Sequence, residues 1–344
     1  MTMKLPVAIA SGDAVGIFAP SSPGAALFPH RFSRGIQALE KCLACEVILP
    51  THFEHSGDYT AGTALERAKC FLELVENPRV TAIFTTYGGY NSSDILSYLP
   101  KETLLRHPKI LVGFSDTTAL LLGYQAITGL VTYYGPAVLT QFGEYPEPFE
   151  YTLTSLRHIL VDGKGGEIRN SSQWTNHFMD WGNPSSEQPR TTFQEQEQEI
   201  WAEGSGEGHL FGGNIATLNY LIGTPYFQPP PGPLVLFLEA TDEEAKLPPF
   251  RRSLLHLKHA GVMEKATALL IGRTRDQTQV DELALQNLVR EVTDGLHIPI
   301  LGRLAFGHTD PIMTLPIGCW ARVVAQSHHF IFEIIDRTVE TPQQ

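Results

Sequence analysis

The sequence predicts an α/β protein built as two units, a parallel sheet flanked by helices and then a smaller, β-rich α/β unit. Three observations carry this. Short apolar runs alternate with helix-periodic segments from Val15 to Ala126, and that alternation implies parallel strands covered by helices. A polar stretch, Glu167 to Gly208, then breaks the pattern, and the alternation resumes from His209 and closes on two terminal strands. At 344 residues the chain also exceeds the ~100–200 residues usual for one domain. The expected division is 1–165 for the first unit, 166–208 for an inter-domain loop and 209–344 for the second.

Val15–Ala19 reads as a buried strand because it is an apolar run closed by the turn cluster Pro20-Ser21-Ser22-Pro23-Gly24. Phe32–Cys42 has helical spacing and leads into a strand at Cys45–Leu49. Ala61–Glu76 is a second helix, with Glu66, Arg67, Lys69 and Glu73 on its solvated side. Val80–Thr85 is a strand, followed by Tyr87-Gly88-Gly89-Tyr90-Asn91-Ser92-Ser93 and a helix at Asp94–Leu99. Lys109–Val112 is a strand and Thr117–Ala126 a helix, with very little chain between them. In the second unit the expected helices are Asn214–Ile222, Phe250–Ala260 and Asp281–Asp294. The expected strands are Leu234–Leu238, Ala266–Ile271, Ile298–Leu304, Ala321–Ala325 and Phe330–Ile335. Ligands of parallel sheets bind off the carboxyl ends of the strands, where Pro20, Gly88 and Ser115 fall.

A hydrophobic content of 42% with 18% charged residues is ordinary for a soluble globular protein. The net charge of −12 argues against a nucleic-acid polymer as partner. Four cysteines do not make a secreted disulfide framework in a chain this long. Cys42-Leu-Ala-Cys45 has redox or zinc spacing, but no second pair follows, so these cysteines read as structural. No run approaches the ~18–20 apolar residues of a membrane span and no signal core forms near the N-terminus, so no membrane association and a cytoplasmic location are expected. The G-x-G-x-x-G spacing is absent after every candidate strand, and no His, Cys or carboxylate cluster has metal-ligand spacing. No cofactor and no metal are therefore expected.

Ser115 is the residue around which a chemistry can be built. It sits on a sharp strand-to-helix turn, with Gly113 removing a side chain where the backbone would crowd. Such an elbow exposes a serine hydroxyl and aims the following N–H groups at whatever it attacks. A simple helix N-cap is the alternative role. A serine nucleophile needs an oriented base. His308 is the best placed of the thirteen histidines, in the loop Phe306-Gly307-His308-Thr309-Asp310-Pro311 just after an apolar strand. Glu239, closing the apolar run Leu234–Leu238, is the candidate acid, with a helix-approach cap as its plainer reading. The Asp116 N–H and the backbone of Gly88 and Gly89 are candidate oxyanion donors. The polar stretch carries Trp174, Phe178 and Trp181, and disordered segments seldom keep so many aromatics, so it is expected to face substrate. An α/β-hydrolase shares the Ser-acid-His order, but Thr117 replaces the second glycine of G-x-S-x-G. A non-catalytic small-molecule binding protein is the remaining class.

These residues carry a resemblance. The chain is similar, nearly end to end, to the LD-carboxypeptidase family of serine peptidases, which includes the microcin C self-immunity peptidases. The matching segments are Gly16-Ile17-Phe18-Ala19-Pro20-Ser21-Ser22-Pro23, Tyr87-Gly88-Gly89-Tyr90, Gly113-Phe114-Ser115-Asp116, Gly212-Gly213-Asn214, Leu238-Glu239 and Phe306-Gly307-His308. The resemblance implies a Ser-Glu-His triad at Ser115, Glu239 and His308, a flavodoxin-like N-terminal domain, a site in the cleft between domains, and a homodimer. The loop Trp174-Thr175-Asn176-His177 with Asp180-Trp181 resembles the microcin-immunity branch, although that branch commonly has Asp-Glu where this chain has Asn176-His177. The resemblance implies a serine carboxypeptidase acting on a small peptide or a peptidyl- or aminoacyl-nucleotide in self-immunity, with Trp174, Trp181 and Asn214 binding substrate. The alternative within the family is a murein tetrapeptide LD-carboxypeptidase of cell-wall recycling.

Overall fold

A computed structural model describes residues 3–53, 59–194, 200–274, 279–327 and 329–341. Five parallel strands form the N-terminal sheet: β1 (Ala14–Phe18), β2 (Glu46–Ile48), β3 (Val80–Thr85), β4 (Ile110–Gly113) and β5 (Thr132–Tyr134). Their spatial order is β2-β1-β3-β4-β5, the doubly wound flavodoxin-like order. β1 and β4 are buried at every position, as strands covered on both faces must be. The covering helices are Pro29–Leu43, begun by a proline in its first turn, and Ala64–Glu76, begun by a Thr63–Glu66 capping box. A third helix, Thr118–Thr128, follows the Ser115 turn and is buried almost all round. The segment expected as a helix at Asp94–Leu99 is instead a 3₁₀ turn over Ser92–Tyr98.

Among the described residues the C-terminal sheet has eight strands. Its centre is parallel, with Gly204–Asn214, Leu234–Glu239, Ala266–Arg273 and Ile300–Gly307 side by side. Antiparallel strands flank it, including Trp320–Gln326 and His329–Ile334. Gly204–Asn214 starts well before the expected helix and occupies the middle of the sheet. A Cβ at Gly206, Gly208 or Gly212 would run into the Thr267, Pro233 or Phe237 carbonyl, so its glycines permit close strand approach while hiding the strand from propensity. Leu315–Ile317 crosses back and pairs antiparallel with β5, so part of 209–344 completes the N-terminal sheet.

The two sheets meet around Thr118–Thr128. A Cβ at Gly213 would lie 2.6 Å from Thr118 Oγ1, and that hydroxyl accepts the Asn214 N–H at 3.1 Å. Cys42 and Cys45 are unpaired, and burial pushes their thiols up to about 11 and about 12, which suits a structural role. Among the described residues no helix is long and apolar enough to cross a membrane, and no group of three or more His, Cys, Asp or Glu could hold a metal ion.

Candidate active site

Three separate sequence motifs converge at the carboxyl ends of β1, β3 and β4. Ser115, which follows β4 after the single residue Phe114, has φ +61°, a left-handed conformation that costs a non-glycine residue of order 1–3 kcal/mol. Gly113 allows the turn because a Cβ there would strike Thr85 and Thr117. The Asp116 carboxylate accepts the Asn91 and Ser92 N–H groups, each at 3.0 Å, and burial raises its pKa. This pins the loop after β3 onto the elbow. Gly88 in that loop lies against Ser115: a Cβ there would be 3.1 Å from Ser115 Oγ and 3.3 Å from the Asp116 nitrogen. Gly89 packs on Ser21 and Ser22 of the turn after β1, and Ser21 Oγ accepts the Tyr90 and Asn91 N–H groups at 3.0 and 2.8 Å.

The C-terminal sheet brings the other two groups. Glu239 ends Leu234–Glu239 and is 0% exposed. His308 follows Gly307, the last residue of Ile300–Gly307. At Gly307 φ is +101° and a Cβ would sit 3.0 Å from Glu239 Oε2, so only glycine lets the two strand ends close up there. His308 Nε2 lies 2.9 Å from Ser115 Oγ and its Nδ1 2.7 Å from Glu239 Oε2. Tyr134 Oη–H donates to Glu239 Oε1 at 2.7 Å and Asn214 Nδ2–H donates to the same oxygen at 3.0 Å. Burial alone would raise this carboxyl, but His308 and the hydrogen bonds of Tyr134 and Asn214 outweigh it, and its pKa is lowered. A carboxylate held ionised in this way fixes the imidazole with Nδ1–H toward itself and the Nε2 lone pair toward serine, the arrangement that lets a hydroxyl attack a carbonyl.

Ser115 and His308 open into a cavity of about 560 Å³. Trp181 forms part of its wall, edge-on to Phe28 at 5.4 Å and near-parallel to Phe178 at 6.3 Å, with the Arg31 guanidinium 4.4 Å from its ring. Phe178 is 63% exposed. A charged network holds this loop down. Arg190 binds Glu144 and Asp310 at 2.7 and 2.8 Å, Gln141 donates to Asp310 at 2.9 Å, and Glu187 pairs with Arg34 and Arg31. Backbone bonds between Thr175 and Asp310 tie the same loop to the His308 loop. Burial lowers the Arg31 pKa to about 10, leaving it charged at neutral pH.

The structure therefore brings together Ser115, Glu239, His308, Gly88, Gly89, Asp116, Asn214 and Trp181. Asn214 bonds the Glu239 carboxylate through Nδ2, while its Oδ1 accepts the Thr217 N–H as a helix N-cap. Trp174 is placed elsewhere. It packs against Phe193 at 5.1 Å, within 6.0 Å of the Arg273 and Arg303 guanidinium groups, and is not among the residues lining the cavity. Its strand, Gln173–Trp174, pairs with Phe193–Gln194 and turns the ring away. Sequence reasoning missed Tyr134, Arg31 and Arg190. For Tyr134 a signal existed: the run Val131-Thr132-Tyr133-Tyr134 before Gly135-Pro136 is strand-like chemistry closed by a turn.

Comparison with known proteins adds to this geometry. Residues 15–135 match the LD-carboxypeptidase N-terminal domain and residues 207–323 the LD-carboxypeptidase C-terminal domain. The chain is 32% identical over 317 residues to the microcin C7 self-immunity protein MccF of Escherichia coli, covering 90% of each. It is 33% identical over 336 residues to a carboxypeptidase homologue of Vibrio cholerae, covering 97% of this chain and 98% of that one. A murein peptide carboxypeptidase homologue of Bacillus subtilis is 28% identical over 321 residues, covering 92% and 90%. Solved structures of MccF with aspartyl sulfamoyl adenosine and with glutamyl sulfamoyl guanosine each superpose with a TM-score of 0.87 at 29% identity, over 98% of this chain and 99% of theirs.

Proposed function

The chain belongs to the LD-carboxypeptidase family and is a serine-type carboxypeptidase, and on that premise we propose that Ser115, Glu239 and His308 are its triad and a small peptidyl- or aminoacyl-nucleotide its substrate. Ser115 Oγ attacks the carbonyl of the C-terminal amide-type bond while His308 Nε2 takes the hydroxyl proton. Glu239 stabilises the imidazolium without taking the proton itself. The Asp116 N–H and the backbone of Gly88 and Gly89 receive the developing oxyanion. His308 returns its proton to the leaving nitrogen, and water, activated by the same imidazole, releases the acyl group from Ser115. The distances of 2.9 and 2.7 Å along Ser115, His308 and Glu239 support the triad.

One observation carries the choice of substrate: Trp181 shares the Ser115 cavity, and its ring lies near-parallel to that of Phe178, centroids 6.3 Å apart. Aromatic surfaces suit a nucleobase, since stacking tolerates base identity and contributes ~1–3 kcal/mol per base. The cavity volume also falls in the usual range for a small-molecule ligand, ~300–1,000 Å³. The solved MccF complexes hold aminoacyl sulfamoyl nucleosides, which supports the same class here. The test is side-by-side hydrolysis of aspartyl sulfamoyl adenosine and a murein tetrapeptide. Turnover of the nucleoside is expected to prevail. Preferential turnover of the tetrapeptide would move the assignment to cell-wall recycling.

A further inference from the structure

Tyr134 joins the two sheets at the reacting centre. Its strand, β5, lies beside β4, with Tyr134 in register with Gly113 just ahead of the elbow. The side chain is wholly buried, edge-on to Phe114 and Phe237 at 6.3 and 5.4 Å. Its hydroxyl oxygen lies 3.2 Å from the Ser115 nitrogen and 2.7 Å from Glu239 Oε1. The chemistry of these atoms leaves one proton arrangement. The Ser115 N–H can only donate, so the phenol oxygen accepts it, and the single phenol hydrogen must go to Glu239. Burial, with the adjacent Glu239 charge, raises the phenol pKa well above its ordinary value, so that hydrogen is present throughout the working pH range.

We infer that Tyr134 is a positioning residue that sets both ends of the triad at once, holding the left-handed Ser115 backbone and keeping Glu239 ionised and aimed at His308. The Ser115 N–H is consequently occupied by Tyr134, which leaves the oxyanion to the Asp116 and Gly88–Gly89 donors. The inference rests on the triad reading above but not on the choice of substrate.

A fluorophosphonate labels an activated serine without needing a nucleotide, so the experiment measures its rate of reaction with Ser115 across pH in the wild type and in Tyr134→Phe. Phenylalanine keeps the ring contacts and removes only the hydroxyl. Labelling should slow about 10- to 100-fold, the scale of losing one hydrogen bond to an ionised group. The acidic limb of the profile should also move to higher pH, because a carboxylate with one donor fewer lets the Glu239–His308 pair keep its proton longer. Wild-type labelling rate, or slower labelling with an unmoved limb, would make Tyr134 a packing residue and overturn the inference. A wild type that is not labelled at Ser115 would instead remove the triad itself. Should Tyr134→Phe fold poorly, 3,5-difluorotyrosine at position 134, a stronger donor of the same shape, should move the limb to lower pH. An unmoved limb there also overturns the inference.

Discussion

The Ser115 end of the cavity is built from strand ends joined by hydrogen bonds, whereas the aromatic end is a loop held down by charges and packed on Phe28 and Arg31. Ser115, Glu239 and His308 each follow or close a buried strand, and Tyr134 and Asn214 complete the shell around Glu239. Trp181 and Phe178 sit on a polar stretch whose anchors are Arg190, Asp310, Glu144 and Glu187. Strand ends fix atoms to a few tenths of an ångström, which proton transfer requires. A loop clamped by ion pairs tolerates change in sequence and shape, which suits recognition. Chemistry and selectivity should accordingly respond to different substitutions.

The sharpest test of that separation is Ser115→Ala. Turnover of every substrate should fall ~10⁶-fold, the scale seen when a triad serine is lost, with the thermal transition little changed. A purified variant retaining more than a few per cent of activity would sink the assignment. His308→Ala should cost a similar factor, while Glu239→Gln should cost only ~10⁴, because an acid partner orients and stabilises rather than transfers. If Glu239→Gln matched the wild type in kcat, the third role would belong to another carboxylate.

At the aromatic end the effect should be smaller and selective. Trp181→Ala should raise KM for an aminoacyl sulfamoyl adenosine by roughly 5- to 150-fold, the equivalent of the stacking energy, and leave tetrapeptide hydrolysis nearly unchanged. Equal losses on both substrates would make Trp181 a packing residue and erase the distinction between the two ends. The smallest effect concerns pH and stability. The folded pKa of Glu239 is depressed, so its contribution is fully present above the unfolded value of ~4.3 and is lost as pH falls through the folded value. In calorimetry, the stability of the wild type relative to Glu239→Gln should therefore decline as pH drops below ~4.3. A constant difference would mean that Glu239 is not held ionised by its neighbours.

Much of this was legible in the chain because it depends on short-range pattern. Continuous apolar runs announced β1, β3 and β4, and the lack of a loop between Val112 and Thr117 announced the elbow. Gly113, two positions before Ser115, marked a place where the backbone crowds, and the Cβ clashes there give the reason, while the same close approach at Gly307 beside His308 emerges only in the structure. The rest was settled by contacts between distant residues, which local pattern does not encode. Ser115 and His308 are 193 positions apart, and their 2.9 Å separation exists only because the two sheets pack across Thr118–Thr128. The glycine-rich strand Gly204–Asn214 has little intrinsic β-preference and is made a strand by the neighbours that close on it. Trp174 and Trp181 stand seven residues apart in one polar stretch, yet a two-residue strand pairing turns the first toward Phe193 and leaves the second facing the cavity. Nothing in the sequence gives Tyr134 its place between Ser115 and Glu239, which follows only when β5 stands beside β4 with the C-terminal sheet against it, because a hydroxyl acquires its role only from the donor and acceptor that tertiary packing sets within its reach.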